Sequence, residues 1–280
     1  MSKKVLFVNR ISDSNIGDAL SSPKYYFGKE YGDWHDCDIH ITEAEIFRTE
    51  ALRKIDESSL VIIGGGGLLG QKYFEEDLRF FNKISLPKVI WGAGHNSHDI
   101  YAIPNHPPTS ADYPDFSIYA EYGIRDWNLG HNWLPCVSCM HSEFDQEASI
   151  KDGAVYLLHW ELKYKPDIVR KITEQDSSGC ILFNDDSAST IFRKLRCARV
   201  VVTNSYHGAY WGTLLKKPVV VIGGGSKMQT LRHKPVYADH HNWKNTAKSA
   251  KIYDDALDQC RSANVDFQRK ILLILNSLKH

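Results

Sequence analysis

The chain has 280 residues, 42% of them hydrophobic, with 7 Trp, 14 Tyr and 11 Phe, which excludes a disordered chain and suffices for one large domain or two ordinary ones. Six cysteines over this length exclude a disulfide scaffold, and no apolar run approaches a membrane span. The net charge of zero hides a division: residues 1–147 carry 13 Lys+Arg against 22 Asp+Glu (−9), and residues 148–280 carry 21 against 12 (+9); either one half suits an anionic small molecule and attracts the other, or the surface simply varies between halves.

In chain order, Met1-Ser2-Lys3-Lys4 runs directly into the strand-like "KVLFVN" (4–9). That apolar stretch is too short for a signal-peptide core, so a cytoplasmic protein is expected. Helical patterns follow at about 17–30, 43–57 and 71–84, alternating with strands "CDIHIT" (37–42), "SLVIIGGGG" (59–67) and "KVIWGAG" (88–94). Such continuous apolar runs, wired β–α–β, predict a parallel sheet with helices on its faces. Residues 97–115, with four prolines, interrupt the rhythm as a long loop. "YGIRDW" (122–127) resumes a strand. A second alternation follows: strands at 154–160, 180–184, 199–204 and 218–225, helices at about 166–176, 187–198 and 207–216, and an apolar helical period over 265–279. The expected fold class is therefore α/β, with two Rossmann-like lobes: an N-terminal lobe over 1–147, a C-terminal lobe over 148–264, and a last helix over 265–280 packing back on the first lobe. Ligands of such folds lie at the C-terminal edges of the strands, here the cleft between lobes.

Polar residues gather at those edges. In "SNIGDALSS", Ser14, Asn15 and Asp18 can cap a helix and also reach the crevice. The glycines of "GGGGLLG" (64–70) let backbone approach a ligand, or serve only as a tight turn; their spacing matches neither the dinucleotide fingerprint nor a phosphate loop. "WGAGHN" places His95 and Asn96 at a strand end. Arg125 closes another strand, where a guanidinium is shaped for a carboxylate or phosphate, or pairs locally with Asp126. In "TNSYHG" (203–208), His207 sits where a strand hands over to a helix, so backbone N–H groups and the positive helix end face the same point as the imidazole. Thr203, Asn204 and Ser205 can instead cap that helix. Cys136, Cys139 and His141 cluster, but without a second paired motif they read as structural thiols rather than a zinc site. No basic run interleaved with aromatics points to nucleic acid.

Taken together, "SNIGDAL", "IIGGGGLL", "WGAGHN", "GIRDW" and "VVTNSYHGAYWGTLLKKPVVVI" resemble, in order and over most of the chain, the polysaccharide pyruvyl transferase family. The resemblance implies a GT-B-like fold and a transferase. It would move the enolpyruvyl group of phosphoenolpyruvate onto two sugar hydroxyls, forming a cyclic ketal on a bacterial capsule or exopolysaccharide, or on its lipid-linked precursor. It implies no cofactor and no metal. Its partners would be phosphoenolpyruvate and a glycan or lipid-linked oligosaccharide, the latter bringing the protein to the inner face of the cell membrane as a peripheral contact. By the resemblance His207 is the acid/base, Gly208 opens the helix, and Arg125, Asn204 and Ser205 lie on the donor side. Asn15, Asp18, Gly66, Gly67, His95 and Asn96 fall on the acceptor side. The chain departs from the family where Ser205 and Tyr206 stand for an arginine and a leucine; Lys227 or Arg232 would restore the missing charge. Two alternatives stay open: a GT-B glycosyltransferase using a nucleotide sugar, with Asp239 on the ribose, and a non-catalytic glycan-binding relative.

Overall fold

A computed structural model describes residues 4–11, 15–70, 72–97, 101–147 and 153–278. Ser14, part of the 97–115 loop and the stretch around the expected lobe junction lie outside the described residues. The first lobe holds strands β1 (Lys4–Asn9), β2 (Trp34–Asp38), β3 (Ser58–Ile63), β4 (Gly66–Leu69), β5 (Lys88–His95) and β6 (Glu121–Ile124). All pair in parallel. Strand β5 is the hinge of the sheet: Ala93 faces Gly66 of β4 on one side and Ile124 of β6 on the other. Because Ile63 of β3 also pairs with β5, at Ile90, β4 continues β3 along the same edge after a break at Gly64–Gly65. The second lobe holds β7 (Ala154–Leu158), β8 (Cys180–Phe183), β9 (Val200–Thr203), β10 (Val219–Val221) and β11 (Val236–Tyr237), in the order β11-β10-β9-β7-β8 and again parallel.

Both faces of both sheets are covered, which is why the strands read as unbroken apolar runs. Leu6, Val8, Val61, Ile63 and Ile90 pack with Ala51 and Ile55 of one helix (Glu45–Asp56) and with Phe74 and Phe81 of the next (Lys72–Asn82). The opposite face, with Val5, Phe7, Leu60, Ile62, Val89 and Trp91, packs against Phe267, Ile271 and Leu275. Those three belong to a long C-terminal helix, Ala256–Ser277. It starts earlier than the apolar period suggested, and Ala256 and Cys260 in its first turns join the core of the second lobe. Burial of each large apolar side chain there stabilises by about 1.5–3 kcal/mol, so this helix holds the lobes together. Asn264 at its middle accepts from the Trp91 indole (2.8 Å) and donates to the Pro135 carbonyl (3.2 Å).

Further expectations need correction: the strands expected over 122–127 and 218–225 end at Ile124 and Val221. The helix expected over 17–30 is broken into Ile16–Ala19, Lys24–Phe27 and a 3-10 turn at Gly28–Tyr31, because Pro23 has no N–H to continue a helix. The strand expected at 37–42 lies at Trp34–Asp38; Ile39 and Ile41 are buried, but past the strand end. The strand expected over 154–160 stops at Leu158, which places His159 and Trp160 beyond the sheet. No helix among the described residues is long and apolar enough to cross a membrane.

Candidate active site

The C-terminal edges of the two sheets face each other across a cavity of about 630 Å³. Asn15, Asp18, Gly67, Asn96 and Arg125 reach it from the first lobe; Ser205, Tyr206, His207 and Lys227 reach it from the second. Arg10, Phe74, His159, Trp160, Glu161 and Asn184 complete much of the wall.

His207 is carried by a helix, Tyr206–Leu214, that is buried along its whole length. An all-round apolar helix of this kind is a core element. Its start is fixed by the residues before it. The Thr203 hydroxyl donates to the Leu157 carbonyl (2.5 Å) and accepts from the Ser205 N–H (2.9 Å), and Asn204 Oδ1 accepts from the His159 N–H (2.8 Å). Thr203 and Asn204 therefore serve the turn and do not line the cavity, a correction for Asn204, while Ser205 does line it. Gly208 likewise faces inward, where a Cβ would overlap Thr203; it gives the helix close approach to the sheet and makes no cavity contact.

The His207 imidazole spans the junction of the lobes. Its Nε2 lies 3.2 Å from Ser21 Oγ and 3.5 Å from Cys136 Sγ, both in the first lobe. Gly17 sits against the ring at Nδ1, where a Cβ would overlap it. Burial, then the Arg125 and Lys227 charges, push its pKa well below the ordinary histidine value, so the imidazole is neutral at pH 7.

Arg125 projects from the end of β6 and is buried, with 3% of its surface exposed. Its guanidinium stacks on the Tyr206 ring at 3.7 Å, and its Nε has no hydrogen-bond partner. No carboxylate of the described residues lies in ion-pair range of it. Asp126, the expected local partner, is committed elsewhere: it accepts from the His95 N–H (2.6 Å) and the Thr230 hydroxyl (2.5 Å). A buried cation without a counter-ion is costly, and here it faces a cavity. Lys227 reaches the same cavity from a glycine run, Gly223–Gly225, whose positive φ angles turn the chain back towards the first lobe. Burial and then Arg125 lower its ammonium to about 8, while Asp18 and Glu161 act in the opposite sense. Arg232, the other candidate for the missing charge, lies against the Trp127 and Trp133 rings at 4.4 and 4.2 Å and does not line the cavity.

On the first-lobe wall, Asn15 both caps the short helix, accepting from the Gly17 N–H (3.1 Å), and donates to Asp18 (2.9 Å). Gly67 makes room for Asn96, whose side chain occupies the space of a Cβ there. Gly66 (φ +95°) packs beside Asp18 without lining the cavity. His95 also stays outside it: its Nδ1 is 2.8 Å from Ser226 Oγ, and that serine accepts from the Ser97 N–H (3.0 Å), a tie between the lobes. Asp239 is exposed and does not line the cavity. Cys136 and Cys139 are both buried in the junction, where Asn264 donates to Cys139 (3.4 Å).

Sequence reasoning missed the second-lobe stretch His159–Trp160–Glu161. Asn184 and Asn204, from neighbouring strand ends, accept the N–H groups of Trp160 (2.7 Å) and His159 (2.8 Å) and bend this stretch over the cavity. The signal was available: the rule that ligands sit at strand ends applies to β7 once the strand is ended at Leu158.

No family model matches the chain, and no curated protein sequence matches it. Among solved structures it is similar to UDP-GlcNAc 2-epimerase of Methanocaldococcus jannaschii in complex with UDP-GlcNAc and UDP. The TM-score is 0.56 at 10% identity, covering 99% of this chain and 100% of that one. A second structure of that enzyme gives 0.52 at 11% identity, with 99% and 100% covered. At such identities the likeness concerns the fold, and the fold is GT-B: two α/β lobes with parallel sheets and a cleft between them.

Proposed function

We propose that the protein is a ketal pyruvyl transferase that uses phosphoenolpyruvate as donor and two hydroxyls of a surface-glycan sugar as acceptor. The observation that carries this reading is the buried, carboxylate-free Arg125 guanidinium sharing one interlobe cavity with Lys227 and His207. Two cations at close quarters ask for a small acid with more than one negative charge, and an imidazole beside them supplies proton transfer. The acceptor would enter over the Asn15, Asp18 and Asn96 wall.

The electrostatics suggest an order of events. Burial, and then the charges of Arg125 and Lys227, hold His207 neutral. A bound phosphate and carboxylate offset those charges and attract the proton themselves, which raises the imidazole pKa and favours the acid when the donor is seated. Imidazolium then protonates C3, the C=C pair forms the C–H bond, and C2 becomes oxocarbenium-like. A sugar hydroxyl attacks C2 and its proton returns to His207. The phosphate leaves with the C–O pair and that proton, and the second hydroxyl closes the ketal, its proton restoring the imidazolium. Such acid/base help is worth about 10²–10⁴ in rate.

Thermal shifts distinguish this reading from a nucleotide-sugar transferase. Phosphoenolpyruvate should raise the Tm, as any ligand of the native state does, and UDP- and CMP-sugars should not. The converse result would turn the assignment to a nucleotide sugar.

A further inference from the structure

The Ser21 hydroxyl has one proton, and three neighbours compete for it, the weakest acceptor being Cys136 Sγ at 3.2 Å. The Gly17 carbonyl lies 2.7 Å from Oγ, the usual length of an O–H···O bond, whereas His207 Nε2 lies at 3.2 Å. The Gly17 carbonyl belongs to the last turn of the short Ile16–Ala19 helix, where carbonyls lack helical N–H donors. Ser21 therefore donates to Gly17 and meets Nε2 with a lone pair. Two bare lone pairs would repel, so Nε2 carries the imidazole proton and donates it to Ser21 Oγ. Cys136 Sγ, 3.5 Å from Nε2 and 3.2 Å from both Ser21 and Ser138 hydroxyls, is a second, weaker acceptor in the same cluster. Ser21 and Cys136 are fully buried, so no solvent rearranges this set. Nδ1 has no hydrogen-bond partner among the described residues, and His207 lines the cavity.

We infer that Ser21 is a positioning residue that keeps the neutral His207 in its Nε2–H form, which commits Nδ1 to exchange protons with a ligand in the cavity. The tautomer itself depends only on the geometry; its use in turnover rests on the reading of the cavity as the active site. In the mechanism above, Nδ1–H gives its proton to C3 and Nδ1 receives the proton of the attacking hydroxyl, while the Nε2–H bond to Ser21 persists throughout.

The test reads the tautomer directly. In unliganded protein carrying ¹⁵N-histidine, long-range proton–nitrogen correlations at neutral pH assign each ring, and His207 is identified by its absence in His207→Gln. Nε2 is expected at the protonated, pyrrole-like shift and Nδ1 at the bare, pyridine-like shift; the reverse pattern overturns the inference. Ser21→Ala should mix or invert the two forms and lower kcat by about 10- to 100-fold, a part of what one acid/base group supplies, with KM for phosphoenolpyruvate little changed. Ser21→Thr, which keeps the hydroxyl, should restore both. An unchanged tautomer in Ser21→Ala, or an inverted one in Cys136→Ala, would assign the control to the thiol. Because the tautomer is read without turnover, a failure of pyruvyl transfer and a failure of this inference are told apart.

Discussion

Raising the pH from about 7 to about 9 removes the Lys227 proton without changing the charge of its two neighbours. The ammonium is held at about 8, by burial and then by Arg125. The His207 imidazole, held well below its ordinary value, is neutral across the whole interval, and guanidinium groups keep their proton in proteins. The protonated fraction of Lys227 thus falls from about nine-tenths to about one-tenth. A phosphate that requires this ammonium loses about tenfold in affinity, or about 1.4 kcal/mol, over those two pH units. Isothermal calorimetry with phosphoenolpyruvate at several pH values in His207→Gln, where no imidazole gains a proton on binding, reads this directly. Adding Lys227→Met should weaken binding at pH 7 and remove the pH dependence. Equal affinity of His207→Gln at both ends of the range, or a tenfold fall that survives in the double variant, would refute the placement of the donor against this side chain.

Three further outcomes follow from the same geometry. Arg125→Met removes a buried charge without a counter-ion but also its contact with Tyr206. Desolvating the charge costs several kcal/mol and the ring contact returns about 2 kcal/mol at most, so calorimetric Tm should hold or rise while phosphoenolpyruvate affinity drops about 10- to 100-fold; a large fall in Tm with intact binding would make Arg125 structural. Gly17→Ala gains up to about 1 kcal/mol of helix propensity but drives a Cβ into the buried His207 ring, an overpacking cost of about 1–3 kcal/mol. Denaturant unfolding should show a net loss, and a stabilised variant would mean that the ring is free to move aside. The third outcome concerns acid. A histidine whose folded pKa is depressed stabilises fully above its unfolded value, near 6.5, and loses that contribution as pH falls towards the folded value. His207→Gln should therefore flatten the acid limb of stability below about pH 6.5 by up to about 1.4 kcal/mol per pH unit, read from unfolding curves at several pH values. An unchanged limb would show that the imidazole is not desolvated.

Much of the fold was legible because both sheets are covered on both faces: β1, β5 and β9 appear in the sequence as uninterrupted apolar runs and lie where expected. Local signals failed where polar residues do structural work. The first turns of the C-terminal helix, "ALDQCRSAN", hide the period because only the small Ala256 and Cys260 mark their core face, and the buried Asn264 that follows is polar, bonded to Trp91 and Pro135. Strand β11, only Val236–Tyr237, is too short to show a pattern. At the site, strand ends named His207, Arg125, Asn15 and Asp18, all of which line the cavity. Periodicity could not separate Lys227 from Arg232: their destinations depend on a glycine turn and on a pair of tryptophans from the other lobe. Nor could it show Ser21 and Cys136, separated by 115 positions in sequence, meeting at one imidazole.

The most direct test mixes the protein with phosphoenolpyruvate and a panel of galactose- and N-acetylmannosamine-containing acceptors, following phosphate release together with proton NMR of the glycan. Acceptor-dependent phosphate release with a new methyl singlet from the pyruvate ketal, abolished in His207→Gln, is the expected result. Failure to release phosphate with any acceptor, from protein that the calorimetry shows to be folded, would contradict the account.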